Sequence, residues 1–556
     1  MRKIDRGILY WNTVRNLKPV QIKHQIINRV KESQKPQKYG MAGKPDKIRI
    51  VIPELDEDRG YLERFDVAAL LYGRVTLLHE THELNGFWAE SSASHLWNYN
   101  LHYLEFLIPL AAEYHATGDE RYRKKYVEIL ESWMEAASDS KDAYAPYTIS
   151  MRIPNILIGM ELQGGFEESL EQKIYVSLYD QYRYLLQHTE LALLANHYFE
   201  NIKTIVIASV LFREPDVYRR YFDLLLKQID EQILPDGVHY ERSLMYHKII
   251  LEDILRVYTV MQSAGRRMDA EKLLPAIKSM AEAVGSIERG FGRTPLFNDA
   301  GDNISKTTYA LLKACGTLCA DLDTEKNVFP DAGYYRLDHG NAAVLFDSGE
   351  IGPKYMAGHA HNDCLSFELY FHGDCILSNS GTGQYQGDKR QFFRSTKAHN
   401  TVMIDDREQS ELWGEHRAAR RISHVKAMAE EESITGQFQS YRGDRFRRKI
   451  LWQKDGLVIT DDVKCRDSDR HIARQFFHLA PGYKLKRDGK KINVVSGDKS
   501  IAVIVLPEKA DFLIHKEGQI TEYAGDFGAY ERKQVLEVRT PFVNIVKINI
   551  LIRTDG

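Results

Sequence analysis

Hydrophobic residues recur at helical spacing between about positions 96 and 320. Tyr103-Leu104, Phe106-Leu107 and Leu110-Ala111 mark one such face, and breaks such as Gly164-Gly165 separate the segments. The pattern predicts helices of roughly 15 to 25 residues near 151–164, 168–188, 190–211, 215–233, 241–263, 269–289 and 304–320. Short turns between long helices favour antiparallel pairs, stacked as a solenoid or closed into a toroid.

The period of the hydrophobic pattern changes from helical to two after Pro330. Asp455-Gly456, between two alternating runs, is typical of a hairpin turn. The predicted strands are 342–346, 365–370, 401–404, 448–452, 457–460 and 543–548. Because no helical periodicity separates these strands, an antiparallel sandwich is expected. The chain is therefore predicted to be an α+β multidomain protein, with an N-terminal segment over 1–90, a helical domain over 91–328 and a sheet domain over 329–556.

The composition narrows the classes of partner. The 556 residues include 75 basic and 78 acidic side chains, for a formal charge of −3, so no nucleic-acid partner is indicated. The 31 tyrosines and 6 tryptophans suit a sugar-binding cleft, although a tyrosine-rich core would have the same composition. The five cysteines form no CxxC pattern and are typical of reduced thiols.

The N-terminal sequence predicts a cytoplasmic location. Residues 1–10 are basic but contain no apolar region or cleavage site of a secretory signal. Nowhere does the sequence hold the roughly 18 consecutive apolar residues of a membrane span, so membrane insertion is not expected.

Two histidine motifs stand out in the second half. Gly358-His-Ala-His-Asn-Asp363 places His359 and His361 two residues apart in a predicted strand, so both imidazoles would share a face. Lys397-Ala-His-Asn-Thr401 adds His399. Three converging histidines can form a proton-transfer site, a metal site or one of each. Hydrogen-bonded structural histidines are the alternative.

Polar clusters also interrupt the apolar pattern of the helical half. Asn196-His197 opens one predicted helix, the run 242–247 opens another, and the run 97–100 precedes a third. Each is explained singly by a helix cap or a core tyrosine, but together they fit an elongated polar groove. Arg152 would add a cation for an acidic ligand, or serve in an ion pair.

These motifs together resemble the heparinase II/III-like polysaccharide lyases, and are similar also to oligoalginate lyases. The resemblance rests on Asn196-His197, 245–247, 297–302, 358–363 and 398–401, and it covers residues of about 90 to 480. It implies an incomplete (α/α) toroid over 91–328, on which residues 1–90 pack, followed by an antiparallel β-sandwich. It also places the active site in the cleft between the two domains and suggests a bacterial surface-polysaccharide context.

The family chemistry is β-elimination from an acidic polysaccharide that contains uronic acid. By resemblance, Asn196 and His197 hold the substrate carboxylate, Tyr246 is the catalytic tyrosine and His359 is the opposing acid or base. A tyrosine suits this role if neighbouring donors lower its pKa from about 10. The residues expected to contact substrate are Asn100, Tyr103, Arg152, His247 and Tyr385.

A structural zinc ion is also implied, and no organic cofactor. Its ligands in relatives resemble His361, His399 and an acidic residue whose position is occupied here by Asn379. Because an amide oxygen is a poor zinc ligand, Asp363 and Asp374 are alternatives.

Two other functions are compatible with the sequence. A glycoside hydrolase on the same toroid would use Asp299 and Asp302 as its carboxylate pair. A non-catalytic glycan-binding or assembly protein would need no such chemistry, although the retained Asn196, His197, Tyr246 and His359 argue against it.

Overall fold

Helices dominate the first half of the chain. The computed structural model describes residues 3–31, 37–41, 43–84, 86, 88–136 and 140–554. The α-helices are α1 Lys3–Val14, α2 Pro19–Lys31, α3 Pro53–Asp56, α4 Arg59–Leu62, α5 Val67–Leu71, α6 His95–Tyr103, α7 Leu107–Thr117, α8 Glu120–Ala136, α9 Pro146–Leu162, α10 Glu168–Leu185, α11 Ala195–Leu211, α12 Pro215–Gln232, α13 Leu244–Ser263, α14 Arg267–Glu271, α15 Leu274–Ile287, α16 Thr308–Gly316 and α17 Gly387–Phe393. Most of the long helices predicted from the periodicity are present with ends shifted by a few residues, but the predicted helix 269–289 is divided between α14 and α15, and 304–320 is shortened to α16.

The long helices form two rows. One row runs through α7, α9, α11, α13 and α16, each packed on the next. Helices α8, α10, α12 and α15 each pack on one or two members of that row. Helix α11 is buried around its whole circumference except at His197, because its apolar run from Ile202 leaves no polar face. The first row is therefore a firm support for the residues at its helix starts.

Strands dominate the second half. They are β1 Arg74–Leu77, β2 Glu80–Glu83, β3 Val328–Phe329, β4 Tyr334–His339, β5 Ala342–Asp347, β6 Phe367–Phe371, β7 Asp374–Leu377, β8 Val402–Ile404, β9 Leu412–Trp413, β10 Arg417–Ala418, β11 Ser423–Glu430, β12 Ser433–Gln439, β13 Arg445–Gln453, β14 Gly456–Lys464, β15 Arg470–His478, β16 Lys484–Asp488, β17 Lys491–Ser496, β18 Lys499–Val505, β19 Asp511–His515, β20 Glu522–Asp526, β21 Ala529–Arg532, β22 Val535–Val543 and β23 Ile545–Thr554. Only β1 and β2 among them precede residue 328.

Three antiparallel sheets share one apolar core. Their strand orders are β3-β4-β5-β6-β7, β11-β12-β13-β14-β23-β18-β17-β16 and β19-β22-β15-β8. Phe346, Ile450 and Phe477, one from each sheet, belong to the same buried cluster. Burial alternates along β14, as expected for a strand with one face on this core.

Two predicted strands differ from the structure. The run 543–548 crosses a turn at Asn544, whose φ of 64° ends β22 before β23 begins. The run 358–363 is a loop, because its backbone bonds to other loops: the Asp299 N–H donates to the His359 carbonyl at 3.0 Å. His359 and His361 therefore do not project from a common strand face.

The N-terminal segment contacts both halves of the molecule. Trp413 Nε1 in β9 donates to Thr13 Oγ1 at 2.9 Å, and Gln21 Nε2 donates to the Leu193 carbonyl at 3.2 Å. Among the described residues, the helices are all too short or too polar to span a bilayer.

Candidate active site

Asn196 stands in the first turn of α11. The two residues before it, Leu194 and Ala195, have φ values of 64° and 54°, a left-handed path that non-glycine residues seldom adopt. Its amide Nδ2 lies 3.0 Å from each carboxylate oxygen of Glu241 and 3.3 Å from His359 Nε2. Asn196 thus links the helical half to the loop that carries His359.

Tyr246 occupies the first turn of α13, whose cap is Ser243. The Ser243 hydroxyl accepts the Tyr246 N–H at 3.3 Å. The Tyr246 ring lies 4.1 Å from the His359 ring, centroid to centroid, and its hydroxyl is 2.6 Å from the Tyr385 hydroxyl. We call Asn196, Glu241, Tyr246, His359 and Tyr385 the Tyr246 cluster.

Asp299 orients His359. Its Oδ2 lies 2.9 Å from His359 Nδ1, and its Oδ1 lies 2.8 Å from His361 Nε2. Arg390 donates to both oxygens of the same carboxylate. Burial opposes ionisation of Asp299, but Arg390 and the two histidines outweigh it and hold the pKa of that carboxyl well below its usual range. An ionised Asp299 accepts the His359 Nδ1–H, which leaves His359 Nε2 as an acceptor facing the Tyr246 cluster.

The two tyrosines of the cluster are held in their protonated forms. Burial, and then the neighbouring Tyr385, raise the pKa of Tyr246 well above 10. Burial and Asp299 raise the pKa of Tyr385 in the same direction. The condition that neighbouring donors lower the pKa of Tyr246 is therefore not met, because burial, Tyr385 and the acidic neighbours Asp299 and Glu241 raise it.

Half-buried aromatic residues continue from the cluster along the helical half. The Tyr147 ring lies 4.6 Å from the His197 ring and 6.0 Å from the Tyr103 ring. His197 Nδ1 is 3.0 Å from Glu190 Oε1; burial lowers the pKa of His197, but Glu190 outweighs this and raises it. Asn100 is half-buried and donates to the Leu96 carbonyl at 2.9 Å. Half-buried aromatic rings, apolar on their faces and with polar groups nearby, suit the binding of sugars.

Arg152 lies in the core, not at the groove. Its guanidinium donates to Gln181 Oε1 at 2.8 Å and to the carbonyls of His102 and Ala143 at 2.9 and 2.8 Å. It also stacks on Trp133 at 4.2 Å. With its donors used and no exposed surface, Arg152 supports the fold, and the expectation of a substrate contact is corrected.

His247 is likewise structural. Its Nε2 donates to the Met280 carbonyl at 2.9 Å, and its Nδ1 accepts the His239 N–H at 3.2 Å. The side chain is fully buried, and burial lowers the pKa of His247 to about 3. Because His247 follows Tyr246 directly on α13, it points to another side of the helix, which corrects the expected substrate contact.

His361, Asp363 and His399 form a candidate metal centre. One ligand atom from each lies within 4.8 Å of the other two, and all three side chains are buried. His361 donates Nε2–H to Asp299, and His399 donates Nδ1–H to the Ser395 carbonyl at 2.9 Å. The remaining nitrogens, His361 Nδ1 and His399 Nε2, are both acceptors and lie 3.1 Å apart. Two lone pairs facing each other with their other nitrogens held by hydrogen bonds fit a cation.

Both polar atoms of the Asn379 side chain are hydrogen-bonded to other protein groups. Its Oδ1 accepts the Asn400 N–H at 3.0 Å, and its Nδ2 donates to Ser366 Oγ at 3.4 Å. These bonds hold the loops after β7 and before β8 together. Asp363, one of the two alternatives to Asn379 from the sequence, is the carboxylate that lies with His361 and His399. Burial raises the pKa of Asp363 to about 6.

The carboxylates Asp299 and Asp302 do not act as an equivalent pair. Asp299 is bound by Arg390, His359, His361 and Thr382. Asp302 accepts the Thr294 N–H at 2.7 Å, and burial raises its pKa to about 6. Because a nucleophile or base needs a free oxygen at the substrate, Asp299 suits orientation of histidines rather than hydrolysis.

Two family models match consecutive parts of the chain. The Heparinase II/III N-terminus model matches residues 69–322, and the model named Heparinase II/III-like, C-terminal matches residues 322–544. The chain belongs to the heparinase II/III-like family. The family expected from the sequence motifs is thereby confirmed.

Curated relatives of this heparinase II/III-like chain are lyases. A heparin-sulfate lyase of Pedobacter heparinus is 24% identical over 55% of this chain and 52% of that enzyme. A heparin-sulfate lyase of Bacteroides thetaiotaomicron is 23% identical over 68% of this chain and 61% of that enzyme. The chain thus matches little more than half of the length of these relatives.

Solved structures of similar fold extend over nearly the whole chain. Heparinase III superposes with a TM-score of 0.70 at 18% identity, covering 96% of this chain and 89% of that one. A heparan sulfate lyase from Pedobacter heparinus gives a TM-score of 0.56 at 18% identity, covering 95% and 87%. The heparinase II/III-like chain therefore has the fold of these proteins, helices followed by antiparallel sheets.

Three contributors to the site of this heparinase II/III-like protein were missed from its sequence. Glu241 immediately precedes the polar run 242–247, and its charge beside a helix start was the available signal. Arg390 lies on α17 and Tyr147 on α9, in segments that hold no local motif. Their roles depend on contacts with residues distant in the sequence, such as Asp299 and His197.

Proposed function

We propose that this protein is a polysaccharide lyase that cleaves a uronic-acid-containing glycan by β-elimination. The observation that carries the proposal is the meeting of Tyr246, His359 and Tyr385 beside Asn196. The two tyrosine hydroxyls lie 2.6 Å apart, and the His359 and Tyr246 ring centroids lie 4.1 Å apart. Family membership and the names of the relatives support it. We further infer that the helical rows form an incomplete (α/α) toroid and that the sheets form a sandwich.

The first step of the proposed mechanism is recognition of the uronate carboxylate. The amide of Asn196 and the imidazole of His197 neutralise it, so the C5 proton becomes more acidic and the developing enolate is stabilised. The half-buried rings of Tyr103 and Tyr147 stack on neighbouring sugars, and Asn100 and Tyr385 add polar contacts. The partner is an acidic polysaccharide or oligosaccharide.

The second step moves two protons. His359 accepts the C5 proton at Nε2, since Asp299 fixes its Nδ1–H and stabilises the resulting imidazolium. Tyr246, protonated because of its raised pKa, donates to the C4 oxygen as that bond breaks. The proton on His359 must then return to Tyr246, which restores both groups, and the Tyr385 hydroxyl, hydrogen-bonded to that of Tyr246, is placed to relay it.

A zinc ion is the proposed structural metal. His361, Asp363 and His399 would hold it, and its charge would join the loop that precedes β6 to the segment that precedes β8. Asp299 bonds both His361 and His359, so the residues of this centre and the catalytic histidine share one anchor.

Ultraviolet absorbance tests the function directly, because elimination creates a conjugated unsaturated uronate and hydrolysis does not. The protein should be incubated with uronate glycans: an unsulfated glucuronate–hexosamine polymer, heparan sulfate, chondroitin sulfate and alginate. Rising absorbance with at least one of them, absent with the Tyr246→Phe variant, is the expected result. Cleavage without absorbance would favour a hydrolase, and binding without cleavage would favour a glycan-binding protein.

A further inference from the structure

Glu241 is a buried acidic residue that the proposed proton transfers do not use. It lies between the turn at 235–237 and α13, and only 2% of it is exposed. The next residue, Arg242, has a φ of 56°. The guanidinium of Arg242 donates to the Ala332 and Asp331 carbonyls at 2.9 and 3.1 Å. The backbone carbonyl of Arg242 accepts a hydrogen bond from the Asn298 amide at 2.9 Å. The loop that presents Glu241 is thereby fixed from several sides.

The Glu241 carboxylate contacts two residues of the Tyr246 cluster, Asn196 and His359. Oε1 accepts the Asn196 backbone N–H at 3.1 Å and the Asn196 amide at 3.0 Å. Oε2 accepts the same amide at 3.0 Å and lies 3.7 Å from His359 Nε2. A buried carboxylate usually pairs with a structural arginine or lysine, whereas this one faces the residues proposed to meet the substrate.

We propose that Glu241 is a positioning residue that sets the orientation of the Asn196 amide. This inference rests on the proposed lyase function. An asparagine amide has a donor side and an acceptor side of nearly equal shape, so its orientation is decided by its neighbours. A carboxylate only accepts hydrogen bonds, so Glu241 draws Nδ2 toward itself and turns Oδ1 away. One amide N–H is bound by Glu241. The other is directed toward His359 Nε2, beside the proposed position of the uronate carboxylate.

A purely structural role would look different. Glu241 also accepts a backbone N–H at the N-terminus of α11, where such donors lack partners within the helix. Glutamine at this position keeps an oxygen for that N–H and nearly the same shape. Its NH₂ group, however, would oppose Asn196 Nδ2 and favour a flipped Asn196 amide. Glu241→Gln therefore separates positioning from capping.

The first test reads the Asn196 amide itself and needs no substrate. In protein labelled with ¹⁵N at asparagine, the Asn196 side-chain signals are identified by their loss in Asn196→Ala. Their protons should exchange with water at least about tenfold more slowly than those of exposed asparagines, and Glu241→Gln should remove that protection. Unchanged protection in Glu241→Gln would overturn the proposal, whatever the substrate.

The second test uses turnover of the glycan identified by absorbance. Glu241→Gln should lower kcat by roughly ten- to a hundredfold with little change in KM, since donors aimed at developing charge act in the transition state. In the Asn196→Ala background the same change should cost nothing more, because the effect passes through Asn196. Equal losses in both backgrounds would contradict the proposal. A wild-type protein inactive on every uronate would refute the proposed function, while the exchange test still decides the role of Glu241.

Glu161→Gln is the matched control. Glu161 Oε2 accepts the backbone N–H groups of Ile50 and Val51 at 2.6 and 3.0 Å, at the end of α9. Its substitution alters a carboxylate that bonds backbone N–H groups in the same half of the protein, so kcat and the Asn196 exchange rate should stay at wild-type values.

Discussion

Two polar clusters in the helical half look alike in the sequence and differ in the structure. Arg152, with Gln181 and the carbonyls of His102 and Ala143, forms a set whose members all belong to helices or turns of that half. In the Tyr246 cluster, by contrast, Tyr246 bonds Tyr385 and Asn196 approaches His359, both from the second half. Each cluster interrupts an apolar pattern, yet only the Tyr246 cluster joins side chains from both halves of the chain.

The difference shows what separates a structural polar group from a functional one. Each nitrogen of the Arg152 guanidinium donates a hydrogen bond inside the core. A ligand would have to break those bonds. The Tyr246 cluster is held by contacts among ionisable or amide side chains that a substrate carboxylate can replace. Substitutions in the Arg152 set should therefore change stability, and substitutions in the Tyr246 cluster should change turnover.

Tyr246→Phe should give the largest effect on turnover. Loss of the hydroxyl removes the proposed proton donor, so kcat is expected to fall by roughly 10²- to 10⁴-fold. Thermal unfolding should shift little, since one hydrogen bond contributes about 1 kcal/mol. Tyr182→Phe is the control, because it removes a comparable bond to Glu214 Oε2 at 2.9 Å and should leave kcat unchanged. A folded Tyr246→Phe protein with wild-type turnover would rule out the role.

Arg152→Met should show the converse behaviour. The substitution leaves three buried acceptors without their donor, at about 1–3 kcal/mol each, so the free energy of unfolding should fall by roughly 3 kcal/mol or more. Turnover per folded molecule should stay near that of wild type. Urea unfolding measures the first quantity, and Arg123→Met, at a half-buried site that bonds two carbonyls, should cost less. A loss of turnover in fully folded Arg152→Met would instead support the original prediction that Arg152 contacts the substrate.

Zinc that binds at His361, Asp363 and His399 should raise the free energy of unfolding. Metal-free protein is expected to gain about 2.7 kcal/mol at a zinc concentration one hundred times the Kd, read as a rise in Tm. His399→Ala should abolish both the rise and the bound zinc, whereas Asn379→Ser should keep stoichiometric zinc. Protein purified without chelator that contains no metal, and whose Tm ignores added zinc, would disprove this centre.

The free energy of unfolding should fall gradually as the pH is lowered, because two buried histidines are held neutral. Burial lowers the pKa of both His102 and His247 to about 3, against roughly 6.5 in the unfolded chain. The stability from each neutral histidine is thus complete above pH 6.5 and is lost as pH falls toward 3, by up to about 1.4 kcal/mol per pH unit. Asp302, with a pKa raised to about 6, contributes oppositely, and its stabilisation is lost as pH rises.

The decisive comparison is therefore between variants. Urea unfolding at pH 7, 6 and 5 should show a shallower loss of stability for His247→Gln than for wild type. Parallel pH dependences of the two proteins would mean that His247 is not held neutral by burial.

The sequence was sufficient for the elements and for most of the Tyr246 cluster. Helical spacing and turn residues predicted α9 to α13, and short apolar runs predicted β5 and β14. In β14 the alternation follows directly from the burial of one face. Asn196, Tyr246, His359 and Tyr385 were found through family motifs. Their mutual contacts in the structure agree with the expected cleft.

What the sequence could not supply depends on distant contacts. Arg152 has the composition of a ligand contact, and only the packing of α9 on Trp133 and Gln181 shows that it is enclosed. Asn379 was aligned with a metal ligand by its place after β7, whereas the loop fold brings Asp363 there instead. The pKa of Tyr246 is raised and not lowered, because burial is its largest influence, and no local sequence pattern reveals burial.

The masses of the products from a defined uronate tetrasaccharide test the elimination chemistry most directly. β-Elimination adds no water, so the masses of the two disaccharides should sum to that of the substrate, with one product absorbing in the ultraviolet. Tyr246→Phe should yield the same products far more slowly. Products whose masses exceed the substrate by one water, without ultraviolet absorbance, would contradict the lyase mechanism.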